Sequence, residues 1–191
     1  MNKNILSVAA GKVWLFALLL VIFSALLALP LLEHLPFLGN LIYIAIMMSF
    51  LFMGLYMRDA AYAFEGEERV ILKDAAMGFA LIMLGFVVEQ FGTLVMAIIW
   101  DIVFGVLVLI GAVKLMGAFG KLKTSTVFPD TAAAGKLKLA AIFFLLVGIL
   151  GILYAIPALG VIFGVFYKIL LLVAAIIFLV GWGKIKNLPA A

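Results

Sequence analysis

The chain has 191 residues, of which 69% are hydrophobic and only 12% charged, with a mean hydropathy of +1.42 and a formal net charge of +4. A water-soluble domain needs a polar surface and runs at about half apolar, so an ordinary soluble fold is excluded. Cysteine is absent and His34 is the one histidine; disulfides, thiolate chemistry, bis-histidine haem and the usual Cys/His zinc sets are excluded with them, and no cofactor or metal is expected.

Apolar stretches of about 20 residues recur along the whole chain, the length that crosses a hydrocarbon core of about 30 Å. Nothing alternates apolar with polar as a membrane barrel strand does. The expected fold is all-α, a polytopic transmembrane helical bundle with one integral membrane domain over residues 1–191.

Six spans fit best, at about Val13–Leu32, Phe37–Met57, Val70–Val88, Leu94–Leu115, Leu139–Tyr154 and Leu159–Trp182. The first follows Lys3 and Lys12, as a secretory signal would. Its length and the lack of a small-x-small site in "SALLALP" make it a retained span. Glu33 and His34 then read as solvated turn residues. The purely apolar part of the third span, Ala75–Val88, is short, so that span starts earlier, in "RVILKDA", or else is re-entrant. Asp130, after Pro129, is positioned to cap a helix leading through "TAAAGKLK" into the fifth span.

Placing the N-terminus in the cytoplasm puts twelve of the thirteen basic residues on the inner side, all except Lys168, which lies inside a span. The positive-inside rule then makes both termini cytoplasmic. Tight outer connections, "EHLP", "EQFGT" and "AIPA", make three antiparallel hairpins at about 13–57, 70–115 and 139–182. Inner loops at about 58–69 and 116–138 join them. The first and third hairpins share an outer turn, "LPFLG" and "IPALG", with Pro at the start of the returning helix, where its missing N–H costs little. Duplication and convergence on a good turn both account for the likeness. On "LPFLG…MGLYMRDA" and "IPALG…VGWGKIK", over about half the chain, the sequence resembles a domain-of-unknown-function family of small archaeal and bacterial integral membrane proteins. The resemblance implies a membrane fold and no activity.

Asp101, in "MAIIWDIVFG", is the first candidate for chemistry. A charge at mid-span costs about 2.5–3.5 kcal/mol, so such residues usually face inward toward a partner. Lys168 has the opposite sign and a similar depth, about 13 Å against about 10 Å when residues are counted down from Leu159 and Leu94. The pair reads as a buried lock between helices, as a proton relay or ligand contact, or as two charges that snorkel apart. Glu89, Gln90 and Thr93, with Asn40 and Tyr154, line a small outer vestibule on one reading and are ordinary turn residues on the other. Two copies of "GKLK" bring Lys121, Lys123, Lys136 and Lys138 beside the membrane, as contacts for anionic lipid or as topology determinants. Gly160 and Gly164 form a GxxxG, and Gly148, Gly151, Gly78 and Gly85 offer further close-approach points. Packing within the chain is the default for these, homodimerisation through Gly160/Gly164 the alternative. Trp14 and Trp182 are expected at the inner interface and Trp100 toward the outer one.

The chain contains no P-loop, GxSxG, HExxH or dinucleotide fingerprint, so no enzyme is expected. The net charge belongs to the inner loops and implies no nucleic acid. The partners expected are membrane lipids and a protein, either a different chain or a second copy. The expected function is an accessory or scaffold subunit of the cell membrane. The alternatives are a small transporter or channel for protons or a small polar solute using Asp101 and Lys168, and a lipid-binding protein.

Overall fold

A computed structural model describes residues 1–29, 36–92, 97–156 and 160–187, apart from the side chains of residues 36, 91, 92, 97 and 161. Six helices make up the fold: α1 (Lys3–Leu27), α2 (Pro36–Ala61), α3 (Glu67–Gly92), α4 (Ala97–Thr124), α5 (Thr131–Tyr154) and α6 (Gly160–Lys186). All six are long and apolar enough to cross a membrane, which is the architecture of a multi-pass membrane protein. Their faces agree with that. On α1, Leu6, Ala10, Val13, Ala17, Leu20, Ser24 and Leu27 are buried in one stripe, while Val8, Leu15 and Ile22 lie exposed on the opposite side. An outward face as apolar as the inward one suits a hydrocarbon solvent rather than water.

Each helix packs against the next in the chain, and α1 packs against α6, closing a ring; among the described residues no other pair approaches backbone to backbone. A ring of six leaves a centre too wide for backbones to fill. Aromatic side chains, each burying about 150–250 Å², fill it instead. Phe50 on α2 meets Phe144 on α5 at 5.6 Å between ring centroids, and Phe178 on α6 meets Phe79 on α3 at 5.2 Å and Phe119 on α4 at 6.2 Å. Phe86 and Phe104 continue the column, edge to face at 5.2 Å.

Around the ring, α4 is clamped on both sides by glycine. A Cβ added at Gly111 would lie 2.6 Å from the Gly78 carbonyl oxygen of α3, and one at Gly105 would lie 2.7 Å from that of Gly148 on α5. Small residues permit this approach, and close packing supplies helix association where lipid offers no hydrophobic drive. Gly160 and Gly164 face Tyr154 in the same way, so both make close contacts within the chain.

The helices outrun the apolar windows. The N-cap of α1 is Asn2, accepting from the Ile5 N–H at 3.2 Å, so the helix begins ten residues before Val13. Asp130 caps α5 as expected, its carboxylate accepting from the Ala133 N–H at 2.7 Å. Because α2, α3, α4 and α5 all continue past the hydrophobic segments, the connections shrink to 62–66 and 125–130 from the expected 58–69 and 116–138. The hydropathy pattern marks where the chain is apolar, whereas the helices extend as far as caps and Ala-rich propensity carry them. The third span is a full-length helix that starts before "RVILKDA", at Glu67. The two short connections hold each other. Ser125 Oγ donates to Glu68 Oε1 at 2.8 Å, and Phe64 stacks on Phe128. The two chain ends meet the same region, with Asn2 N–H donating to Ala63 O and Ser7 Oγ to Lys186 O.

Candidate functional site at a buried carboxylate

The end of the ring away from the chain termini carries the polar side chains that sequence alone scattered among turns and spans. Glu89 belongs to the last turn of α3, which runs on to Gly92, so its carboxylate is carried inward over the aromatic column. Tyr43 from α2 and Tyr167 from α6 meet it there. Their hydroxyls are 2.5 Å apart and lie 3.5 and 3.3 Å from Glu89 Oε1. Phe86, Phe104 and Tyr154 pack around the two tyrosine rings. The second carboxylate oxygen, Oε2, is buried without a hydrogen-bond partner.

Proton counting defines what this arrangement offers. Three oxygens form a triangle with three edges, and the two phenols bring one proton each. The short Tyr–Tyr edge takes one proton and a Tyr–Glu edge the other. A proton on the carboxyl itself fills the remaining edge. The cluster therefore has a built place for one more proton, above the aromatic column.

Around this core stand the residues that the sequence singled out. Gln90 Nε2 donates to Asn40 Oδ1 at 2.9 Å, bridging α3 and α2 beside Glu89. Tyr154 packs edge to face on Tyr167 at 6.3 Å. Four of the five vestibule residues thus lie at one end of the ring, Asn40 and Tyr154 exposed and Glu89 and Gln90 half-buried; the fifth, Thr93, lies outside the described residues, as do Glu33 and His34. Asp101 and Lys168 are both within electrostatic reach of Glu89. Glu89 is thus a common neighbour of the two. Leu94, from which the depth of Asp101 is counted, lies outside the described residues. Asp101 itself is half-buried on α4.

Sequence reasoning passed over Tyr43 and Tyr167. The available signal was a polar-tipped aromatic within each apolar run, "LIYIAIMM" and "VFYKILL". Tyr167 precedes Lys168, and successive helical residues point about 100° apart, so the inward face belongs to the tyrosine. Trp182 also departs from expectation. It is fully buried in the column against Phe178, while Trp14, midway along α1, lies under the ammonium of Lys186 at the end of α6, 3.8 Å above its ring.

At the opposite end the two "GKLK" copies pack reciprocally. Gly120 of the first meets the Lys138 side chain, and Gly135 of the second meets that of Lys123. Lys121 and Lys123 are exposed, Lys136 and Lys138 half-buried. Among the described residues no group of three or more His, Cys, Asp or Glu is placed to hold a metal ion. Comparison of the chain with known protein families, characterised proteins and solved structures found no match.

Proposed function

We propose that the chain is a multi-pass protein of the cell membrane, built as three antiparallel hairpins with both termini cytoplasmic, and that it serves as a non-enzymatic accessory or scaffold subunit. The ladder of contacts supports the hairpins: Lys12 lies over Tyr56 while Phe16, one turn later, stacks on Phe52, one turn earlier. The basic residues support the orientation, since all but Lys168 belong to the end that carries the termini. The observation that carries the scaffold reading is the aromatic column, whose fully buried rings join helices across the ring and occupy the space a solute would need. A rigid plug of this kind suits a protein that presents its outer faces to lipid and to a partner, whether a different chain or a second copy.

The buried carboxylate favours a second reading, a protein that binds and passes protons, with Glu89 as the carrier and Asp101 and Lys168 as its charged neighbours. Reconstitution separates the two. Purified protein in phospholipid vesicles under an imposed potential is expected to leak protons no faster than protein-free vesicles. A faster leak that Glu89→Gln abolishes establishes the second reading and removes the first.

A further inference from the structure

Between α2 and α3, on the outside of the ring, lies a groove of about 470 Å³. Gly54, Ala76 and Ala80 make its floor because none has a side chain large enough to fill it, and the exposed side chains of Leu55 and Met77 rise beside it. Its upper end is different in kind. Arg58, in the last turn of α2, and Lys73, in the second turn of α3, line the mouth together with Tyr62. Arg69 lies over the Tyr62 ring at 4.8 Å and Lys73 at 6.0 Å. Among the described residues none of these three cations has a carboxylate within salt-bridge distance, and Arg69 Nε is buried with no hydrogen-bond partner.

Two cations at the mouth and a third on the adjoining Tyr62 ring, none with a carboxylate within salt-bridge distance, repel one another, and an apolar trough open at the side of a membrane bundle is a place for hydrocarbon. One class of molecule joins the missing anion to the missing chain. We infer that the α2–α3 groove binds one anionic phospholipid, its phosphate held by Arg58 and Lys73 with Arg69 behind them, and one acyl chain laid over Gly54 and Ala80. Guanidinium matches phosphate geometry and ammonium supplies a point charge, so the pair recognises the headgroup by charge and not by its polar substituent. Tyr62 positions Arg69 and Lys73 through its ring face. This site is separate from the four lysines of the "GKLK" copies, which belong to α4 and α5. It rests on reading the helices as crossing a membrane.

Native mass spectrometry of the full chain in mild detergent tests it. The delipidated protein is titrated with phosphatidylglycerol and with phosphatidylcholine of the same acyl chains. One phosphatidylglycerol is expected to bind at least tenfold more tightly than phosphatidylcholine. Arg58→Gln/Lys73→Gln should bring the two lipids to within twofold, while the charge-keeping exchange Arg58→Lys/Lys73→Arg retains the preference. Ala80→Phe, which fills the trough, should weaken both lipids alike. Inorganic phosphate at millimolar concentration should not displace the lipid, since the chain contributes to binding; displacement by phosphate alone would overturn the lipid assignment. Equal binding of the two lipids by the unaltered protein overturns the inference, as does a preference that survives Arg58→Gln/Lys73→Gln and is lost in Lys121→Gln/Lys123→Gln. Failure of the membrane reading shows separately, as a chain that leaves the membrane fraction during purification whichever lipid is present.

Discussion

Tyr43 and Tyr167 each offer one proton to a cluster with three oxygen–oxygen edges, so neither hydroxyl can donate to both the other and Glu89 at once. Removing one phenol leaves the other free to donate to the carboxylate. Tyr43→Phe and Tyr167→Phe should therefore each cost about 1 kcal/mol, seen as a Tm lower by about 2–4 °C in detergent. The double variant removes the last donor from a buried carboxylate and should lose more than the sum of the two. Strictly additive losses would mean that the hydroxyls do not share Glu89. Little of this cluster was legible in the sequence. Glu89 ended an apolar run and read as a turn residue, because hydropathy stops at Val88 whereas α3 continues to Gly92. The tyrosines had no charge to draw attention, and only the ring closure of α1 onto α6, which turns α2 and α6 toward one interior, brings them together. Asp101, the most conspicuous charge, is only half-buried.

Helix by helix, the glycines separate into those with a neighbour and those without. A Cβ at Gly111 meets backbone and Ile82 of α3, at 2.6 and 2.8 Å, whereas one at Gly117 on the same helix meets nothing within 4 Å. Gly111→Ala should force α3 and α4 apart at a cost of about 1–3 kcal/mol. Gly117→Ala should leave packing untouched and gain up to about 1 kcal/mol from helix propensity. Thermal unfolding of the two variants gives shifts of opposite sign if the clamp is real. Asp130→Ala removes the donor-satisfying cap of α5 and should cost about 1 kcal/mol, with Asp130→Asn or Asp130→Ser restoring most of it. At this scale the sequence was informative: six helices, the cap at Asp130, and Gly78, Gly85, Gly148 and Gly151 as contact points are all written in residue type and spacing. The lengths of the connections were not, because Asp130 caps α5 well before its apolar run, and α2, α3 and α4 likewise continue into segments too polar to register as spans.

For the whole molecule, the spans dictate a bundle but not its closure. Nothing in the pattern of α1 or α6 says that the two ends of the chain meet, as they do where Trp14 packs beneath Lys186 and near Gly183. Closure makes an interior, and in this chain the interior is aromatic. On α6, Tyr167, Leu171, Ala174, Phe178 and Trp182 are buried in one continuous stripe, so a small residue within that stripe reports directly on whether water enters. The chain has no native cysteine, and a single one placed there gives the only thiol signal. The most direct measurement is labelling of Ala174→Cys in membranes by a thiol reagent that does not cross lipid, with Thr126→Cys in the exposed connection between α4 and α5 as the reactive control. A packed, non-conducting ring predicts full labelling at Thr126→Cys and none at Ala174→Cys until the protein is unfolded. Labelling of Ala174→Cys in the folded protein would contradict the account, because it requires an aqueous path through the ring interior.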